Sequence, residues 1–299
     1  MKKIQLIYNP YAGAREFPYL LDYTIKIFQE KGHEVNIYRT NSRDDFKNFI
    51  AREDCQDYEG IIIAGGDGSV NLAVNTLLNE KRDIPLGIIP AGTANDFASH
   101  LGIPMDLSEA IKSLSNLSIR QVDVGLVNNQ FFINVCSGGL LTNISQKVDL
   151  GLKNNLGKIA YYLKGMQELP HFKSMKLKIE SQEVNITEDF YLFLVLNGSG
   201  AGGFTKLGGG ASVDDGKLDF VGLKAMNMTQ LPLLFSKILL GEHIKDKRVI
   251  YFQTEALRIE NLGDETSNLT TDVDGEKGPQ YPLNISVVPG RLKVFIPTL

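Results

Sequence analysis

The stretch Ile61-Ile62-Ile63-Ala64-Gly65-Gly66-Asp67-Gly68-Ser69-Val70-Asn71 constrains the fold more than any other part of this 299-residue chain. Gly60 to Ala64 is a short continuous apolar run, the pattern of a central parallel strand covered on both faces. It passes without a break into a glycine cluster and then into the helical apolar spacing of Val70 to Leu78. Glycines let a backbone turn tightly and approach a ligand closely. The helix start beyond them offers N–H groups and partial positive charge, which suit phosphate. The spacing is neither GxGxxG nor that of the lysine-containing phosphate loop. Taken alone, a tight strand-to-helix turn capped by Asp67 explains the segment as well.

The first 125 or so residues alternate between strand and helix patterns, which predicts an α/β unit with a parallel sheet. Strands are expected at Ile4 to Tyr8, Glu34 to Arg39, Gly60 to Ala64 and Leu86 to Ile89. Helices are expected at Phe17 to Glu30, Arg43 to Ala51, Val70 to Leu78 and Glu109 to Leu114. After Asp123 strand patterns dominate: Gln130 to Val135, Met175 to Glu180, Phe190 to Leu196, Leu218 to Leu223, Val249 to Ile259 and Leu283 to Val288. Helical inserts are expected at Gly157 to Glu168 and Leu231 to Leu240. Many β-segments separated by Gly, Asn and Asp point to an antiparallel sandwich or open barrel. The predicted domains are 1–125 with 291–299, and 126–290.

Composition narrows the function classes. The chain is 43% hydrophobic and 22% charged, which belongs to a folded protein. A net charge of -4 supplies no global field for nucleic acid. Cys55 and Cys136 stand apart with no zinc spacing, and read as thiols of a reducing compartment. No leader segment is visible, and no apolar run approaches the roughly 20 residues that span a bilayer. The expected location is therefore cytoplasmic. The four histidines are scattered and receive no chemistry. Lysines 153, 158, 164, 173, 176 and 178 surround an apolar helix pattern; they make either a solvated face or a contact for anionic headgroups.

Two more loops bear on the site. Asn9-Pro10-Tyr11-Ala12-Gly13 follows the first strand, and Pro90-Ala91-Gly92-Thr93-Ala94-Asn95-Asp96-Phe97 follows another. Loops at the carboxyl ends of parallel strands share one edge, where ligands bind. Each is a turn by itself; together they favour a nucleotide site. A carboxylate inside a phosphate loop repels its ligand unless a metal bridges them, which makes Asp67 a candidate for Mg²⁺. Asp272-Val273-Asp274-Gly275-Glu276 concentrates acids around an Asp-Gly hairpin signal.

The order NPYAG, GGDGS, PAGTANDFA and a late DGE resembles the diacylglycerol kinase catalytic family over nearly the whole chain. Ser69 stands where that family more usually has Thr, which keeps the hydroxyl. The resemblance implies ATP between an α/β domain and a C-terminal β-sandwich, with the last strand returning to the first domain. It implies nucleotide contacts from Asn9, Thr40, Gly65, Gly66, Asp67, Gly68, Ser69, Val70, Asn71 and Thr93. Glu276 would take the proton from a lipid hydroxyl, Asp274 would assist through magnesium or by orienting that base, and Asp123 would support the magnesium network. Ser212, Asp215 and Lys217 would form a structural metal site, for which an acidic hairpin turn is the competing explanation. Gly208 to Gly210 reads as a mobile loop.

The implied activity is transfer of the γ-phosphate of ATP to a lipid alcohol, with diacylglycerol favoured by size and by the absence of targeting segments. The implied partners are a lipid substrate and, transiently, the inner membrane surface; a homodimer is compatible with the sequence. An NAD kinase shares GGDG, and a non-catalytic nucleotide- or lipid-binding regulator is the alternative from another class. PAGTANDFA and DGE argue against the first, and retention of the acids against the second.

Overall fold

The computed structural model describes residues 2–50, 58–139, 174–204, 206–263 and 270–298. By their internal contacts these fall into two units, Met1–Val124 with Val288–Leu299, and Gly125–Val287.

The first unit is a parallel sheet. Its strands are β1 (Lys2–Tyr8), β2 (His33–Arg39), β3 (Gly60–Gly65), β4 (Leu86–Pro90) and the far end of β15 (Leu283–Ile296). Their order is β2-β1-β3-β4-β15, with every neighbouring pair parallel. The helices are α1 (Leu21–Glu30), α2 (Arg43–Ile50), α3 (Asp67–Asn79), α4 (Asp96–His100) and α5 (Leu107–Leu114). Every residue of β3 and β4 is buried, as strands covered on both faces require. Each Ile of that run contributes about 1.5–3 kcal/mol by leaving water. Phe17 to Leu20, expected as the first turn of α1, is instead a 3₁₀ turn carrying Pro18. Phe295, fully buried on β15, fills a notch between Gly60 and Gly87. A β-carbon on Gly60 would lie 2.2 Å from that ring, so the final strand is keyed into this unit by its side chain.

The second unit is antiparallel. It contains the end of β5 (Ser118–Val127), β6 (Gln130–Phe132), β7 (Val135–Gly139), β8 (Met175–Ser181), β9 (Asn185–Leu196), β10 (Leu218–Lys224), β11 (Val249–Thr254), β12 (Ala256–Asn261), β13 (Thr271–Val273), β14 (Glu276–Lys277) and the start of β15. Strand β9 is the hub, pairing with β8 and β7 along one edge and β10 along the other. Its core is aromatic: Phe220 stacks on Phe252 at 4.8 Å and meets Phe190 edge-on at 6.2 Å. The helix α6 (Leu231–Leu240) forms where its apolar run predicts.

Two expected strands are divided. Val249 to Ile259 breaks at Glu255 into β11, which pairs with β10, and β12, which pairs with β8 and β15. The buried Thr254 hydroxyl donates to the Ala256 carbonyl and makes the corner. Gln130 to Val135 breaks at Ile133 and Asn134, because a distant carboxylate takes those amides. The expected helix Gly157 to Glu168, with Lys153, Lys158, Lys164, Lys173 and Cys55, lies outside the described residues.

Candidate active site

Three loops meet at the carboxyl edge of the parallel sheet. Gly13 adopts a φ of 50°, and a β-carbon there would lie 2.4 Å from the Ala91 carbonyl oxygen. A β-carbon on Gly92 would lie 2.3 Å from Cα of Gly66. Backbone against backbone leaves no side chain to move aside, so glycine is required at these contacts. The Ala91 N–H donates to the Gly65 carbonyl at 3.1 Å, and the Asn9 N–H to Ala64 at 3.0 Å.

Gly68 differs. It lies exposed in the first turn of α3, and nothing stands within 4 Å of the position a β-carbon would take. Nothing in the surrounding protein requires glycine there. Behind it Ser69 packs against Gly65, whose added β-carbon would approach the Ser69 Oγ at 2.8 Å. Val70 is buried against the sheet, and Asn71, also buried, accepts from the Asn75 side chain.

Asp67 does not cap its own helix. Its Oδ2 accepts the backbone N–H of Asn95 at 2.8 Å, tying the start of α3 to the PAGTAND loop. Burial raises the Asp67 pKa first and the neighbouring Asp96 carboxylate second, against the lowering from the amides of residues 95 to 97. Its negative charge is therefore not fully balanced by the protein.

Asn95 and Asp96 enter the sequence reading only as members of the PAGTANDFA loop, and their individual parts come from the structure. Asn95, buried with a left-handed φ of 55°, accepts the Gly92 N–H and donates to the carbonyls of Pro90 and Gly92. Asn is among the few residues that enter this backbone region readily, and that is the signal that was available. Thr93 is exposed on the same loop. Thr40 is buried, and its hydroxyl donates to the Tyr8 carbonyl at 3.1 Å. It caps no helix; Ser42 does so for α2, accepting from the Asp45 N–H. Asn9 closes its own turn by accepting the Tyr11 N–H. Asp123 lies within β5, only 3% exposed, and accepts the Gly290 N–H at 2.7 Å.

In the second unit Asp274-Gly275 forms the expected turn, with φ values of 51° and 86°. The Asp274 carboxylate accepts three successive backbone amides, Ile133 at 2.7 Å, Asn134 at 2.9 Å and Val135 at 2.8 Å. It therefore pins the hairpin to the joint between β6 and β7. Two residues on, the half-buried Glu276 sits in β14 opposite Val273.

The loop before β10 closes on Asp215, whose carboxylate accepts the N–H of Ser212 at 3.3 Å and of Lys217 at 3.0 Å. Among the described residues no group of three His, Cys, Asp or Glu side chains is placed to hold a metal. In the Gly208 to Gly210 loop, Gly208 is buried, whereas Gly210 is exposed with nothing within 4 Å of an added β-carbon. A β-carbon on Gly209 would lie 2.6 Å from the Tyr251 hydroxyl, which itself donates to the buried Asp219 at 2.6 Å.

A parallel α/β unit with a glycine junction at its carboxyl edge, joined to an antiparallel unit bearing an acidic hairpin, defines a class of two-part phosphotransferase. The comparisons give the family. Residues 3–127 match the diacylglycerol kinase catalytic domain, and residues 134–296 match the YegS C-terminal NAD kinase beta sandwich-like domain. A diacylglycerol kinase of Bacillus subtilis is 36% identical over 94% of this chain and 92% of its own length. One from Staphylococcus aureus is 35% identical over 99% and 93%. A crystal structure described as a putative diacylglycerol kinase from Bacillus anthracis superposes with a TM-score of 0.82 at 27% identity, covering 99% of this chain and 95% of that one. The chain belongs to the diacylglycerol kinase catalytic family. It is a lipid kinase and, as the family implies, uses ATP.

Proposed function

We propose that the enzyme transfers the γ-phosphate of ATP to the primary hydroxyl of diacylglycerol, giving phosphatidic acid. The observation that carries this reading is the junction at Gly13, Gly66 and Gly92, which presents the open first turn of α3 and the under-compensated Asp67 together. The triphosphate lies against Gly65 to Ser69, with Asn9, Thr40, Val70, Asn71 and Thr93 shaping or contacting its site. Asp67 fits a magnesium ion on chemical grounds: a buried carboxylate beside a second one is relieved by a cation. Asp123 would support that ion, whose charge would neutralise phosphate. Glu276 takes the proton as the lipid oxygen bonds to the γ-phosphorus and the bond to the ADP oxygen breaks.

Asp274 has a narrower part than its resemblance implies. Its oxygens serve the amides of Ile133 to Val135, which suits it to positioning Glu276. A metal held by Asp215 with the carbonyls of Ser212 and Lys217 would brace the loop before β10. No helix among the described residues is long and apolar enough to cross a membrane; in our reading the acceptor is met at the cytoplasmic face of a bilayer.

The test offers γ-labelled ATP with magnesium to diacylglycerol, sphingosine, ceramide, phosphatidylglycerol and NAD separately. Label is expected in phosphatidic acid, lost with chelator and restored by Mg²⁺. Label in another acceptor and none in diacylglycerol would replace this substrate.

A further inference from the structure

The helix α6 buries one side and leaves another apolar side uncovered. Leu234 is 1% exposed and packs with Leu223, Met226, Ile238 and Val249. Leu233, Leu239 and Leu240 are 59%, 49% and 64% exposed. Single exposed leucines are ordinary, but three on one ten-residue helix form a patch.

Basic residues gather at the end of this helix. Lys206 lies along Gly241, the residue that stops α6, close enough that an added β-carbon would meet its Cδ at 3.0 Å. Lys245 and Lys247 follow and are exposed. The carboxylate of Asp246 is engaged by Lys237 at 2.7 Å and Arg248 at 2.6 Å, a staple between α6 and the start of β11. Lys206 together with residues 231–248 holds five cations (Lys206, Lys237, Lys245, Lys247, Arg248) against two anions (Glu242, Asp246). The balance is +3, in a chain whose net charge is -4.

We propose that the outer side of α6 docks the enzyme on an anionic bilayer, with Leu233, Leu239 and Leu240 among the acyl chains and Lys206, Lys245 and Lys247 at the headgroups. A short helix with an apolar side and basic flanks suits that boundary. A second copy of the chain fits less well, because a symmetric pairing would bring like charges together. The biological purpose rests on the lipid acceptor proposed above, but the surface does not. Its rigid mounting through Leu234 and the Asp246 staple suits it to hold the second unit at a fixed depth.

The chain has no tryptophan, so Leu240→Trp supplies a single optical reporter. Its emission is expected to shift to the blue with phosphatidylglycerol-containing vesicles and much less with phosphatidylcholine alone. Replacing Leu233, Leu239 and Leu240 together by Gln is expected to weaken vesicle binding at least about tenfold. That variant should phosphorylate dispersed short-chain diacylglycerol at the wild-type rate. Changing Lys206, Lys245 and Lys247 to Gln should weaken only the salt-sensitive, anionic part of binding. An unshifted reporter, unchanged vesicle affinity in the leucine variant, or a solution dimer that this variant splits would overturn the proposal. If the reporter shifts while no diacylglycerol is phosphorylated, the acceptor assignment fails and the docking surface stands. If dispersed diacylglycerol is phosphorylated and the reporter is silent, only the docking surface fails.

Discussion

Asp67 and Asp274 are both half-buried, both at glycine turns, and both bonded to backbone amides, yet they tie different parts of the chain and keep different neighbours. Three amides from the joint between β6 and β7 converge on Asp274. Asp67 is desolvated beside Asp96, and its pKa rises despite the amides it accepts. A carboxylate that joins amides across a strand break is suited to holding structure, and one desolvated beside a second acid is suited to a cation. The acids of the two units should therefore respond differently to removal.

The largest effect is expected at Glu276, the proposed base that Asp274 would position. Glu276→Gln should lower turnover about a thousandfold, the loss of a positioned base, with unchanged thermal unfolding. Wild-type-like turnover in the purified variant would remove Glu276 from the chemistry.

Asp274→Ala comes next and should act on stability. Stranding three amides is expected to cost about 3 kcal/mol in denaturant unfolding, with activity falling alongside. A variant as stable as the wild type but inactive would make Asp274 a metal ligand and erase the contrast with Asp67.

Asp67→Asn should show the reverse, losing about a hundredfold in turnover while melting at the same or a higher temperature. The pH dependence carries the sign. A raised folded pKa means that the native state holds this proton more tightly than the unfolded chain does. Ionising Asp67 therefore costs stability as pH climbs above the usual aspartate range. The stability gap in favour of the Asn variant should widen from acid to neutral pH in paired melting curves; a gap that narrows would contradict the assigned setting.

The smallest effects sharpen the same contrast within the glycine junction. Gly92→Ala meets backbone and should cost about 2 kcal/mol of stability. Gly68→Ala meets nothing and should leave folding intact or slightly improved, while ATP binds about tenfold more weakly. Equal ATP affinity in Gly68→Ala would show that the open first turn of α3 is not where phosphate lies.

Much of this was legible in the chain itself. The parallel strands, the helices between them and the Asp274-Gly275 turn follow from apolar spacing and backbone freedom, which are written within about ten neighbouring residues. The order of the glycine loops was legible for the same reason. The break between β6 and β7 was not, since its cause, the Asp274 carboxylate, comes from some 140 residues away. Nor was the division of Val249 to Ile259, where one apolar run serves two sets of partners.

The same division runs through the chemistry. Sequence alone determined which acids and glycines this kinase has and the order in which they occur. Only the tertiary structure decided that Asp67 is desolvated beside Asp96, that Asn95 locks the loop from Pro90, and that Asp274 gathers amides from a distant strand break. Residue type and periodicity are local properties, whereas a carboxylate's charge balance is a sum over every group that folding brings near it.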